Sequence, residues 1–299
     1  MIRRYLELRR MGLGWHHWFA ELLSQLPPSQ YLFVCDLLGT AEWLWRRKRS
    51  RRVARELRRL LLLAGNPKQR LSPRLHFCAY WRLKFAHAYI ALAPMEHVER
   101  LLEIKGQEHL SDLLCHDSGF VICSLHSVHG HLAAAYLVRR GKPTLTYRKA
   151  ERATLVGTTV ERMFFYGATP LFLRSDEPLG AVLKRSFDWL RQGNAAFVFV
   201  DGMYGQQQLT VEIFQRKVSL RPGLLEAARL ARVPVTVAAV FTRDRKISIR
   251  FSAPQTVSTP SARAKVFRDL VNIYETVVLT SPESLRMGKF ERRLLDRSS

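Results

Sequence analysis

The sequence predicts an α/β protein whose central sheet is largely parallel and flanked by helices, with an amphipathic helical, membrane-associating region at its N-terminal end. Three observations carry this prediction. Short apolar, β-branched runs alternate with amphipathic segments from residue 98 onward, which is typical of parallel α/β sheets. The residues before 96 have the pattern of helices rich in tryptophan and arginine. One strand-like run, Gly119 to Leu125, leads directly into three histidines and a helix. We therefore divide the chain into residues 1–95 and 96–299.

The predicted strands and helices of the second region follow one another in alternation. Hydrophobic periodicity, together with breaks at glycine and proline, sets their limits. The last strand has a partly polar pattern, which favours the edge of the sheet, and residues 203–220 are expected to form a loop. The strands are predicted at Val98–Ile104, Phe120–Leu125, Thr144–Tyr147, Thr169–Leu173, Ala195–Val200, Val233–Phe241 and Ile247–Phe251, and the helices at Gly106–Cys115, Leu132–Arg140, Val160–Phe165, Leu179–Arg191, Gly223–Ala231 and 262–279.

The first 95 residues carry more than half of the excess positive charge. They hold 18 Lys and Arg against 5 Asp and Glu, a net +13 of the +23 for the whole chain. Helices are predicted at Ser29–Trp45 and Pro73–Ala93, and the densest basic run, Arg46 to Arg59, follows the first of them. Tryptophan beside arginine suits a membrane interface, where indole rings lie at headgroup level and guanidinium groups contact lipid phosphates. An anionic membrane surface is therefore an expected partner.

Composition and motifs argue against a nucleic-acid partner, a transmembrane helix and a metal site. A strong positive charge also fits nucleic acid, but no nucleic-acid-binding motif accompanies it, so no nucleic-acid partner is expected. There is no run of 18 apolar residues, so no transmembrane helix is predicted and attachment to a membrane would be peripheral. The cysteines form no C-x-x-C pair and have no zinc-ligand spacing, so no metal site is predicted. They are Cys35, Cys78, Cys115 and Cys123.

The stretch GFVICSLHSVHGH, from Gly119 to His131, carries the strongest functional signal. Its first half has the length of a buried parallel strand, and an alanine-rich helix follows it. His126 would then lie at the carboxyl end of a strand, where open α/β sheets place their reactive groups. Asp201 follows another predicted strand in the same way, although an Asp-Gly pair also forms ordinary turns. Both residues are candidate catalytic groups.

Five blocks of sequence stand in an order and spacing that a known family shares. They are KGQEHLSDLLCHDSGFVICSLHSVHGHL; TYRKAER with ERMFFYGATPLF; LRQGNAAFVFVDGMYG; IFQRKVSLRPGLLEAARLARVPVTVAAV; and SPESLRMGKFERR, which lacks the tryptophans usual in the last block. Together they resemble the lysophospholipid acyltransferase superfamily, specifically its bacterial lipid A late-acyltransferase branch. The resemblance covers about residues 27–290.

The resemblance implies that a fatty acyl group passes from an acyl carrier protein or coenzyme A thioester to a hydroxyl or amine of a lipid-like or glycolipid-like acceptor. No cofactor besides that thioester co-substrate is implied. In the family, a histidine acts as general base, and an acidic residue after four intervening positions orients it. His126 fits the base. Residues 96–299 would be the acyltransferase domain, held peripherally on the cytoplasmic face of the bacterial inner membrane.

His131 stands where the family has its acidic residue, and three explanations are open. Another carboxylate, Asp201 or Glu161, takes the role. Alternatively, His131 itself orients His126 and suffices for a better nucleophile, such as an amine. Or the protein has lost catalysis and acts as a lipid- or partner-binding scaffold, which is the main alternative function. The predicted catalytic set is His126, His131 and Asp201.

Four further residues are predicted to contact the substrate. Arg148, Arg162 and Arg216 lie within the shared blocks, and guanidinium groups pair bidentately with phosphate or carboxylate. Solvated surface arginines are the other interpretation, in a chain so rich in this residue. His129 would supply a second polar contact near His126. The identity of the acceptor, the acyl length and the choice of donor are not specified by the sequence.

Overall fold

Helices form the N-terminal part of the protein in the computed structural model, which describes residues 15–115, 117–149, 168–173, 177–202 and 208–295. The first four are α1 (Trp15–Ser24), α2 (Pro28–Trp45), α3 (Arg47–Leu63) and α4 (Pro73–Leu92). Proline begins both α2 and α4. It is favoured there because the first helical N–H lacks an intrahelical partner anyway. The two predicted helices of this region are confirmed.

Helices α2 and α4 pack in close contact. A Cβ atom at Gly39 of α2 would lie 2.5 Å from the Cα of Cys78 in α4, so only glycine fits at this crossing. The Arg82 guanidinium donates two hydrogen bonds of 2.7 Å to the carboxylate of Asp36. This bidentate pair explains how a largely apolar helix accommodates an aspartate.

Helix α3 has one buried face and one basic face. Val53, Leu57, Leu60 and Leu61 are buried, so the helix is anchored on the protein along one side. The opposite side carries a row of exposed basic residues, because charged side chains of an amphipathic helix remain in water. They are Arg47, Lys48, Arg51, Arg52, Arg55, Arg58 and Arg59.

A large, mainly parallel sheet occupies the rest of the chain. The strands of the protein are β1 (Leu102–Lys105), β2 (Phe120–Ser124), β3 (Thr144–Lys149), β4 (Thr169–Leu173), β5 (Ala195–Phe199), β6 (Leu209–Ile213), β7 (Arg216–Leu220), β8 (Pro234–Arg243), β9 (Lys246–Phe251) and β10 (Gln255–Thr256). The strand order of the large sheet is β1-β9-β8-β2-β5-β3-β4, with β10 paired to β8. Strands β8, β2, β5, β3 and β4 run parallel to one another, whereas β9 is antiparallel to β8. The prediction of a mixed α/β fold with a largely parallel sheet is thus confirmed.

Helices cover both faces of the sheet. In β2, Phe120 and Ile122 face a core that includes α2 and α4, whereas Val121 and Cys123 face a second core on the other side. Because successive strand residues point to opposite faces, this strand is apolar throughout. The remaining helices are α5 (Met95–Leu101), α6 (Gln107–Cys115), α7 (His131–Arg139), α8 (Leu179–Arg191), α9 (Glu226–Ala231), α10 (Pro260–Thr280) and α11 (Lys289–Leu295).

The predicted strand Val98–Ile104 is wrong over most of its length. Helix α5 continues to Leu101, and only then does β1 begin. Pro94 precedes the helix, and Glu96 in its first turn and Arg100 in its last turn match the polarity of the helix dipole. These end signals outweigh the apolar run on which the strand prediction rested.

The strand predicted at Ile247–Phe251 exists, as β9, but it is not an edge strand. It lies between β8 and β1. Its polar residue Ser248 is buried and donates a hydrogen bond of 2.5 Å to Glu103 of β1. A neighbouring strand therefore satisfies the polar side chain that the sequence pattern assigned to solvent.

The loop predicted at residues 203–220 contains a hairpin instead. Strands β6 and β7 pair antiparallel, and Phe214 and Gln215 form the turn between them with φ angles of 48° and 63°. Two-residue hairpin turns require positive φ, a conformation usually marked by glycine or asparagine. Neither glycine nor asparagine occupies this turn, so nothing in the local sequence indicated a hairpin.

Two further predictions concern a helix near residue 160 and the lack of a transmembrane helix. The predicted helix Val160–Phe165 lies outside the described residues. Within the described part of the chain, no helix combines the length and apolar character needed to cross a bilayer.

Candidate active site

The parallel pairing of β2 and β5 brings His126 and Asp201 together. Ser124 and Phe199, the last residues of the two strands, are directly paired. The ladder extends one step further, because the N–H of Val200 donates to the carbonyl of Ser124 at 3.1 Å. His126 and Asp201 each lie two residues beyond the paired ends. They therefore leave the sheet at the same level and on adjacent strands, as expected for a site at the carboxyl edge of an α/β sheet.

His126 contacts Asp201 through its backbone and its ring. The backbone N–H of His126 donates to Oδ1 of Asp201 at 3.1 Å, and Nδ1 of His126 lies 2.9 Å from the same oxygen. The Asp201 side chain is 3% exposed and the His126 side chain 48% exposed. With a proton on Nδ1 donated to the carboxylate, Nε2 carries the lone pair. One buried carboxylate thus orients a half-exposed imidazole.

Phe199 fixes the plane of the imidazole. The two rings are stacked, with centroids 3.8 Å apart and planes inclined by 18°. Phe197, two residues earlier on the same strand, packs edge-on against Phe199 at 4.8 Å. The ring of His126 is therefore held on one side by aromatic packing and at Nδ1 by Asp201.

The turn after His126 is tightly packed. Residues His126–Val128 form a single 3₁₀ turn, and His129 follows with a φ of 49°. A Cβ at Gly130 would lie 2.0 Å from Oγ of Ser124, so the chain passes the end of β2 without room for a side chain. His131 begins α7, and its ring centroid is 6.0 Å from that of His129.

His129 lies inside the protein. It is 6% exposed, and burial lowers its pKa to about 3, with the positive charge of Arg286 acting in the same direction. His76 is also buried, and burial lowers its pKa to about 4. Nδ1 of His76 lies 3.0 Å from the carbonyl oxygen of Glu283. Both rings are therefore neutral near pH 7.

Of the three predicted arginines, Arg216 is the one whose side chain the structure describes. Nη1 of Arg216, at the start of β7, donates to the carbonyl of Leu294 in α11 at 3.3 Å. Arg148 lies in β3 opposite Phe172 of β4, and its side chain is not described. Arg162 lies outside the described residues, as does Glu161, the other carboxylate proposed as a partner of His126.

The C-terminal segment 286–293, which belongs to the last of the five shared blocks but held no predicted site residue, closes the back of the site. The N–H of Arg286 donates to the carbonyl of Ser127 at 2.8 Å. Nη2 of Arg293 donates to the carbonyl of Asp201 at 3.3 Å. Glu291, between them in sequence, is 1% exposed. No spacing pattern relates these residues to His126, so only the folded chain shows the contact.

The site has the groups that general base catalysis requires. A carboxylate–imidazole pair accepts a proton at Nε2 and stabilises the imidazolium that forms. Among the residues that the structure describes, no three His, Cys, Asp or Glu side chains are grouped so as to hold a metal ion. The fold and the site together define an α/β protein with a His–Asp pair equipped for general base catalysis.

Comparison with known families specifies the class further. The model of the bacterial lipid A biosynthesis acyltransferase family matches residues 3–295, and the chain therefore belongs to this family. The predicted resemblance is confirmed. A comparison with curated proteins gave no match. The family assigns the protein to the acyltransferases of lipid biosynthesis, which act on a lipid acceptor.

Proposed function

We propose that the protein transfers a fatty acyl group from an acyl carrier protein or coenzyme A thioester to a hydroxyl or amine of a lipid or glycolipid acceptor, with His126 as general base and Asp201 as its partner. The observation that carries this proposal is the 2.9 Å contact between Nδ1 of His126 and the buried carboxylate of Asp201. It supports the first of the three explanations for the histidine at position 131, namely that a carboxylate elsewhere in the chain orients the base.

In the proposed step, Nε2 of His126 removes the proton from the acceptor hydroxyl while the oxygen attacks the thioester carbonyl carbon. The tetrahedral intermediate collapses, the C–S bond breaks, and the imidazolium returns the proton to the leaving thiolate. The products are an ester and a free thiol; an amine acceptor would give an amide. Asp201 stabilises the imidazolium between the two proton transfers.

The other predicted residues take supporting roles in this proposal. His131, at the first turn of α7, would contact the acceptor or the base. His129, predicted as a second polar contact, would instead shape the turn that carries His126, since it is buried and directly follows that turn. Arg148, Arg162 and Arg216 would pair with phosphate or carboxylate groups of the substrates.

The N-terminal helices supply a surface suited to an anionic bilayer. Helix α2 exposes Phe33, Leu37, Leu44 and Trp45, the last at 88%, and α3 presents its basic face in the next stretch of chain. Apolar side chains that enter the lipid, next to cations that contact phosphates, are what peripheral attachment requires. We propose that this surface holds the protein on the cytoplasmic face of the inner membrane.

Charge reversal on α3 should weaken membrane binding. The triple variant Arg51→Glu, Arg55→Glu, Arg58→Glu is expected to lose about 100-fold or more in affinity, because each basic residue near an anionic surface contributes about 1 kcal/mol. Co-sedimentation with phosphatidylglycerol vesicles measures it. Lys265→Glu, Arg268→Glu on α10, which reverses two exposed charges elsewhere, serves as the control. Equal binding by the triple variant and the wild type would contradict the proposed surface.

Product analysis tests the reaction itself. The full chain, reconstituted on vesicles, is offered acyl carrier protein and coenzyme A thioesters together with a bacterial lipid extract, and the lipids are analysed by mass spectrometry. A mass gain of one acyl group is expected with the wild type and none with His126→Ala. If no donor gives a gain with any lipid of the extract, the scaffold function becomes the better account.

A further inference from the structure

A second buried carboxyl group lies behind the His126–Asp201 pair. Glu291 lies in the first turn of the short helix α11 and is 1% exposed. Its Oε2 accepts a hydrogen bond of 2.8 Å from the backbone N–H of Gly288. Burial of a carboxyl group is unfavourable unless it is neutral or well paired, so its position calls for an explanation.

Three buried side-chain oxygens from different parts of the chain lie near one another here, one of them from Glu291 itself. They are Oε1 of Glu291, Oγ of Ser127 and the hydroxyl of Tyr274, and none makes a conventional hydrogen bond with a described residue. Ser127 directly follows His126, and its carbonyl accepts the N–H of Arg286. Tyr274 packs edge-on against Phe290, the neighbour of Glu291, at 5.3 Å. Unpaired polar atoms grouped in this way are uncommon in protein interiors.

We propose that Glu291 is a positioning residue of the acyltransferase site, a buried carboxyl group that gains and loses its proton in the neutral range and acts on His126 through Ser127 and Asp201. The proposal rests on the function proposed above for His126. Two neighbouring carboxyl groups do not both ionise readily. Asp201 accepts two contacts from His126, whereas Oε2 of Glu291 accepts one from Gly288 and Oε1 accepts none from a described residue, so Glu291 is the carboxyl group that takes up a proton as the pH falls.

The electrostatics of the cluster support this assignment. Burial raises the pKa of Glu291 to about 7, and the charge of Asp201 acts in the same direction, against the N–H of Gly288 and the hydroxyl of Ser127. The charged and titratable groups around this helix come from several elements. Arg59 on α3 and Arg216 on β7 donate to its last two carbonyls. The others are Asp201 and His126 at the sheet edge, Tyr274 on α10, Arg286 before the helix and Arg293 within it. Burial, together with the charges of Glu291 and Asp201, raises the pKa of Tyr274 well above its usual value, so this hydroxyl stays neutral.

The inference bears on the histidine at position 131. Asp201 takes the place of the acidic residue that position 131 lacks, and the C-terminal segment brings a second carboxyl group behind it. When Glu291 ionises, a second negative charge appears behind Asp201 and favours the protonated form of His126. Glu291 would therefore couple the protonation of the base to pH in the neutral range.

The test measures how fast His126 reacts with a chemical reagent, and it does not measure the rate of acyl transfer. Diethyl pyrocarbonate acylates neutral imidazole nitrogen, and mass spectrometry of the digested protein reports the rate at His126. Rates are measured from about pH 5 to about pH 9 for the wild type and Glu291→Gln. The midpoint pH of His126 modification is expected to be lower in the variant by roughly one unit, the order of effect of one charge about 12 Å away at an effective dielectric of about 20.

Glu275→Gln is the matched control, since Glu275 also accepts a backbone N–H, that of Phe214, at 2.7 Å. It should leave the midpoint unchanged. If Glu291→Gln does not fold, Ser127→Ala replaces it. Loss of the hydroxyl that favours ionised Glu291 should move the midpoint in the same direction. An unchanged midpoint in the folded variant would show that Glu291 only caps α11 and would overturn the inference.

The experiment separates this inference from the proposed reaction. No acyl donor or acceptor is needed, so a shifted midpoint supports the role of Glu291 even if no lipid product is found. Conversely, acyl transfer that depends on His126, together with an unshifted midpoint, would leave the reaction in place and remove Glu291 from it.

Discussion

Replacing His126 with alanine is expected to lower the rate of acyl transfer by about 10²- to 10⁴-fold. The variant lacks the nitrogen that takes the acceptor proton, and a neutral hydroxyl is a poor nucleophile toward a thioester. The loss corresponds to about 3–5 kcal/mol of transition-state stabilisation. Initial rates of acyl transfer to the identified acceptor, measured with vesicle-bound protein, give this number.

The His126→Ala variant should remain folded and membrane-bound. The His126 side chain is 48% exposed, so its removal costs little packing, although the stacking on Phe199 is lost. His109→Ala removes a partly exposed histidine on α6 that lies beside Glu108, and it is expected to keep full activity. A His126→Ala protein with the wild-type rate would contradict the assignment of the base.

The Asp201→Asn variant is expected to lose about 10²- to 10⁴-fold in kcat/KM; the corresponding change in a serine protease costs about 10⁴. Asparagine has nearly the same shape but no charge, so it neither stabilises the imidazolium nor enforces a proton on Nδ1. Because the Asp201 side chain is 3% exposed, water does not reach Nδ1 of His126 to take over the role of the carboxylate. Thermal unfolding should show that the variant is folded.

Comparison with His131→Ala distinguishes the explanations for the missing acidic residue. If Asp201 is the partner of His126, Asp201→Asn should lose far more activity than His131→Ala. The reverse ranking, with Asp201→Asn nearly as active as the wild type, would assign the orienting role to His131. Steady-state kinetics of both variants with one acceptor decide between these outcomes.

The parts of the fold that follow from local patterns were predictable. The strand Thr169–Leu173 and the helix Leu179–Arg191 have the predicted limits, because each has a clear periodicity and a nearby turn residue. The same reasoning placed His126 and Asp201 at strand ends. Their contact follows from the pairing of β2 with β5, which the order of the strands in the sequence does not specify.

The features that sequence patterns could not show depend on contacts between distant segments. The hairpin at β6 and β7 turns through Phe214 and Gln215, residues that seldom adopt positive φ. β9 appeared to be an edge strand because the partner of Ser248 comes from β1. Glu291 was not predicted as a site residue, because Ser127 and Asp201 are far from it in the sequence and come near it only in the folded chain.

The contacts of the segment 286–293 also have a consequence for the order of assembly during synthesis. The last strand of the sheet ends at Thr256, so every strand that pairs in it has been translated before Arg286 and Arg293 exist. A growing chain can therefore form the sheet, and pair His126 with Asp201, before the backbone carbonyls of Ser127 and Asp201 meet their donors. The C-terminal segment would then be the last part of the site to dock, and the site would gain these two backbone hydrogen bonds only after the sheet is in place.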